Sequence, residues 1–87
     1  MRIQITEEQI DYSLLKLKEN MLKAINKHGD GSFVSSHEVL GVLMEEFDEF
    51  KNNVYKNKPP VDKKSELLDI AVSAIFAHAC YEANLIY

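Results

Sequence analysis

The sequence predicts an all-α protein, a small bundle of three main helices, and three observations carry that expectation. Apolar residues recur at helical spacing in three segments, two short loops rich in Gly, Asp or Pro divide them, and no segment alternates as a half-buried strand would. With 87 residues the chain is long enough for one domain, read here as a single helical domain over 1–87 with helices at about 6–28, 36–55 and 62–84. A chain this short buries only a modest part of its surface alone, so completion of the bundle by oligomerisation is expected.

Each element has a start and a stop. Thr6 followed by Gln9 reads as a capping box, after which Ile10, Leu14, Leu17, Met21 and Ile25 mark one face until Gly29. The segment His28-Gly29-Asp30-Gly31-Ser32 suits a C-cap and turn, and is too short and ligand-poor for a calcium loop. Ser35 with Glu38 reads as a second capping box for the helix that ends near Tyr55. Pro59 and Pro60 then break the chain, and Asp62 is the expected N-cap of the third helix. From Leu67 to Tyr81 that helix is apolar on nearly every side, which places it at the centre of the bundle or at a subunit interface.

Composition excludes several classes. The net charge is −4 and the basic residues are scattered, which argues against a nucleic-acid surface. One cysteine, Cys80, cannot form an internal disulfide, and no Cys/His cluster has zinc spacing, so a reducing, cytoplasmic setting is expected. The apolar run near Ile70 to Cys80 is too short to span a bilayer, and no membrane partner is expected.

The acids are the informative residues. At 100° per residue, Glu46 falls in the middle of the stripe Val39, Val42, Leu43, Phe50 and Asn53, with Glu49 about 60° away at its edge. Asp48, Lys51 and Asn52 lie on the wet side, and Glu45 on the border. The third helix repeats the arrangement with Glu66 and Asp69, beside Ile70, Ser73, Ala77 and Tyr81. Two i, i+3 acid pairs are thus aimed at a shared interior. An unpaired buried carboxylate costs several kcal/mol, against about 5–15 kcal/mol for a whole domain, so the group needs a compensating charge. Arg2 is the one arginine and is remote in sequence, which leaves a divalent cation; all-oxygen ligands select Mg²⁺, with Mn²⁺ as the alternative.

Glu45-Glu46-Phe47-Asp48-Glu49 fits EExxE, and after sixteen intervening residues Glu66-Leu67-Leu68-Asp69 fits ExxD. In order, spacing and placement on consecutive helices this pattern resembles the MazG-like all-α nucleoside triphosphate pyrophosphohydrolases, and His37-Glu38 resembles the start of the same helix in small members. The resemblance covers roughly residues 35–79. It implies Mg²⁺-dependent hydrolysis of a (deoxy)nucleoside triphosphate to the monophosphate and pyrophosphate, in a homodimer or homotetramer. It further implies Glu46, Glu49, Glu66 and Asp69 as metal ligands, with Glu45 or Glu49 taking the proton of the attacking water. His37, Lys56 and Lys63 are candidate substrate contacts, alongside Lys58 and Lys64, although solvated loop lysines are the simpler reading. Family members usually continue into a fourth helix, whereas this sequence ends at Tyr87. Two expectations therefore stand: another subunit supplies the missing wall, or the chain is a non-catalytic metal-binding or oligomerisation module that keeps the acids without turnover.

Of the remaining residues, His78 is expected in the core or an interface, Cys80 in buried packing, and either Phe33 or Tyr81 is a minor candidate for a nucleobase pocket.

Overall fold

A computed structural model of the chain describes residues 2–87, in which three α-helices and no strands are present: α1 (Glu7–His28), α2 (Ser36–Tyr55) and α3 (Pro60–Glu82). The capping box of α1 is complete: Thr6 Oγ1 accepts from the Gln9 N–H at 3.1 Å, and Gln9 Oε1 accepts from the Thr6 N–H at 2.8 Å. Gly29 ends the helix with φ at 86°, a left-handed value that glycine alone adopts at no steric cost, and its N–H donates to the Ile25 carbonyl. At α2, Ser35 Oγ accepts from the Glu38 N–H, but the Glu38 carboxylate turns to the Val34 N–H at 2.9 Å instead of Ser35. The second half of that expected box is therefore displaced by one residue.

The start of α3 differs from expectation for a local reason. Pro59 is the N-cap, in extended conformation, and Pro60 is the first helical residue. A proline at that position lacks only an N–H that would be orphaned anyway, and its φ is already helical. Asp62 thus sits in the first turn, where its charge complements the helix dipole, and is not the cap. The helix ends at Glu82, two residues short of 84, because Asn84 adopts a left-handed φ of 59°.

α3 is the central element and packs against both of the others, while α1 and α2 do not pack on each other. α2 and α3 run antiparallel: Ser36 Oγ meets the Tyr81 hydroxyl at 2.6 Å at one end, and Asn53 Nδ2 reaches the Asp62 carbonyl at 3.5 Å at the other. α1 runs parallel to α3, with Tyr12 and Lys16 beside Lys64 and Leu67, and Met21 and Ile25 beside Val72 and Phe76. The core is small. Val39, Ala77, Cys80 and Ile86 are buried, flanked by half-buried Phe33, Leu43 and Phe76. Ile86 reaches it because the Asn84 turn sends the chain back, with the Leu85 N–H donating to the Cys80 carbonyl.

Much apolar surface remains outside. α1 has no buried residue, and of its expected stripe only Leu17, Met21 and Ile25 are half-buried while Ile10 and Leu14 are exposed. α1 packs on α3 alone, which covers only part of its apolar stripe. His78 also departs from expectation: it is exposed, with Nε2 3.8 Å from Glu82 Oε1. The accessible surface is 7220 Å², against about 5,200 Å² for a compact monomer of this mass. The radius of gyration is 14.6 Å, against about 12 Å for 87 residues. No helix among the described residues is long and apolar enough to cross a membrane.

Candidate functional site

The acidic site is built where the middle of α2 meets the first half of α3. Glu46 lies two turns after buried Val39 on the same face of α2, so the direction of packing is already set when the chain reaches it. Glu66 and Asp69 follow one another at one turn's spacing on α3. Glu46 and Glu66 are half-buried; Glu49 and Asp69 are more exposed, and Glu45 and Asp48 face solvent. Both acid pairs are expected to point inward, but only Glu46 and Glu66 do so: Glu49, 60° off the centre of its stripe, lies at the mouth, and Asp69, one turn after Glu66, is exposed with it.

Three of the four acids are held above their ordinary range. Burial, first of all, pushes the Glu46 carboxyl above its ordinary range; the charges of Asp69, Glu49 and Glu45 add to this, and a weak contact from the Ser73 hydroxyl offsets part of it. Glu66 is raised by burial, then by a hydrogen bond with Glu49 and that group's charge, then by Asp69 and Glu46. Asp69 is raised by burial and then by Glu49. Glu46 Oε1 and Glu66 Oε2 are shut off from solvent with no hydrogen-bond partner. Such an orphan costs about 1–3 kcal/mol, and more when charged. The ion pairs among the described residues, Lys16 with Glu19 and His78 with Glu82, both lie elsewhere.

Two orphaned carboxylate oxygens in an all-oxygen group of four acids, with no ion pair to it among the described residues, fit a hard divalent ion. Among the described residues, no three or more acidic, histidine or cysteine side chains converge closely enough to form a ready coordination shell. Glu49 and Asp69, being exposed, are free to change rotamer on the fast timescale of surface side chains, whereas Glu46 and Glu66 are held by packing.

An open cleft of about 400 Å³ adjoins the acids, and its wall includes Glu46 and Asp69 together with Asn20 and His28 of α1 and Ser65 and Ser73 of α3. Asn20 carried a sequence signal, a polar residue among Leu17, Met21 and Ala24 on a helix face that is half-buried. His28 and Ser65 carried none, because their place depends on how α1 lies along α3. The other expected contacts are dispersed. His37 is exposed in the first turn of α2, Lys56 is the exposed C-cap of α2, and half-buried Lys63 sits one turn before Glu66 without an ion pair to it. None of the three lines the cleft.

No protein-family model, curated protein or solved structure matches this chain significantly.

Proposed function

We propose that this protein is a Mg²⁺-dependent nucleoside triphosphate pyrophosphohydrolase of MazG-like type, acting in a reducing, cytoplasmic setting as a homo-oligomer. The observation that carries the reading is the pair of partnerless oxygens, Glu46 Oε1 and Glu66 Oε2, inside a group of four acids that forms no ion pair among the described residues. Glu46, Glu49, Glu66 and Asp69 would hold the ion. Bound there, a divalent cation supplies charge neutralisation for phosphate oxygens and acidifies water. Glu46 and Glu66 would be the fixed ligands, since packing already orients them. Glu45, exposed beside the group, or Glu49, exposed within it, would take the proton of the water that attacks the α–β phosphoanhydride, releasing the monophosphate and pyrophosphate. The excess accessible surface and the exposed Leu40, Met44 and Phe47 on α2 support a second copy as partner.

Pyrophosphate release from a panel of common and modified nucleoside triphosphates, with Mg²⁺ and with chelator, tests the reading. Release that needs Mg²⁺ and vanishes in a Glu46→Gln, Glu66→Gln variant is expected; release indifferent to both removes it. The absence of a preformed three-acid shell favours one competitor, a metal-binding or oligomerisation module without turnover. That protein would melt at a higher temperature in Mg²⁺ and release no pyrophosphate.

A further inference from the structure

A second cleft, of about 260 Å³, lies between the first half of α1 and the first turns of α3, and it shares no residue with the acidic one. Tyr12, Ser13 and Lys16 make one wall, and Lys64, Leu67 and Leu68 make the other. Along this stretch α1 stands off α3, which leaves Tyr12, Leu14 and Leu67 at least half exposed. The cleft therefore has aliphatic and aromatic surface inside and two ammonium groups on its walls. Those two cations are not equivalent. Lys16 Nζ is 3.4 Å from Glu19 Oε2 and 5.4 Å from the centre of the Tyr12 ring, so its charge is already answered. Lys64 is exposed and forms no ion pair among the described residues.

We propose that this cleft is a binding site for a medium-chain aliphatic monocarboxylate, its tail on Leu67, Leu68 and the Tyr12 ring and its carboxylate on Lys64. Charge complementarity selects the head: one unanswered cation calls for one negative charge, and Tyr12 and Ser13 add hydroxyl donors on the opposite wall. Volume selects the tail. At about 30 Å³ for each methylene, near the share of one water molecule in the liquid, the cleft takes roughly eight carbons. It falls below the range of about 300–1,000 Å³ usual for drug-sized ligands, which excludes a nucleoside triphosphate or a whole lipid. None of the four acids lines it, so the site stands apart from the metal and from the reaction proposed above.

Octanoate, titrated against the isotope-labelled full chain with amide shifts mapped, tests the proposal, with octanol as the neutral probe and octyltrimethylammonium as the cationic one. Octanoate is expected to move the resonances of Tyr12, Ser13, Lys64, Leu67 and Leu68 and to bind about fivefold tighter than octanol, with the cation weaker still. Affinity should fall by about threefold to fourfold for each methylene removed on passing to hexanoate and butanoate. Lys64→Gln, a change at an exposed side chain, should bring octanoate down to the level of octanol without lowering the melting temperature. Leu67→Ala should instead weaken octanoate and octanol alike, because it trims the surface under the tail. Equal binding of all three probes overturns the proposal, as does the absence of shifts at millimolar octanoate. Shifts as large at the exposed Leu40, Met44 and Phe47 of α2 as in the cleft would also overturn it, by showing adsorption to apolar surface in general. With Mg²⁺ and nucleotide absent throughout, the result is independent of the enzyme reading.

Discussion

One pair of helices carries two opposite kinds of interface. Toward the start of α2 and the end of α3, Val39, Ala77, Cys80 and Ile86 close an apolar plug; two turns away on the same faces, Glu46 meets Glu66 and Asp69. The backbone geometry is the same in both places, so the difference is chemical. The plug supplies stability, and the acidic stretch consumes it through desolvation and like-charge repulsion. A fold needing only stability would put leucine at Glu46 and Glu66.

The largest effect that can break the contrast is that of the Glu46→Gln, Glu66→Gln pair. Pyrophosphate release should fall by about a hundredfold or more, while the metal-free protein melts no lower than the wild type. A variant losing both activity and stability would show the acids to be structural. Next in size, Val39→Ala should cost about 2 kcal/mol by urea denaturation, leaving turnover per folded molecule unchanged. A large loss of turnover at full folding would mean that the plug and the acids are coupled.

A pH series sharpens the comparison further. Glu46, Glu66 and Asp69 all have values raised above their ordinary 4.5, 4.5 and 3.8, so the folded chain holds protons more tightly than the unfolded one. Their contribution to stability is therefore complete below those ordinary values and is lost as pH rises through the raised ones. In chelator, the stability of the double variant relative to wild type should be greatest at neutral pH and shrink as pH falls toward the ordinary carboxylate range. A gap that widens on acidification would contradict the assigned directions. The smallest effect concerns α1: Thr6→Ala removes one exposed cap and should cost about 0.5–1 kcal/mol, read by the same denaturation.

Local chemistry was legible in the sequence and relative placement was not. Thr6, Ser35 and Gly29 announce helix ends through their own hydrogen bonds and backbone angles, and α1 and α2 begin and end within a residue of expectation. The Pro59-Pro60 pair misleads because proline both stops one helix and starts the next. Periodicity found Glu46, at the centre of its stripe, and failed on Glu49, at the edge, where a small rotation decides exposure. It also failed for His78: a helix apolar all round does not reveal which sides its neighbours occupy. Asn20 and His28 join the site only through the parallel docking of α1, a contact that no pattern within one helix encodes.

That parallel docking also orders the assembly of the molecule. α2 and α3 are joined by a short connection and pair as neighbours in the chain, whereas α1 must close a loop spanning all of α2 to reach α3. Contacts near in sequence form earlier, so the hairpin should be the nucleus and α1 the last piece to arrive. Having no buried residue, α1 is also the first to leave. Its amides should exchange with solvent ahead of those near Ala77, and each departure would take away Asn20, His28 and one wall of the cleft while the hairpin persists.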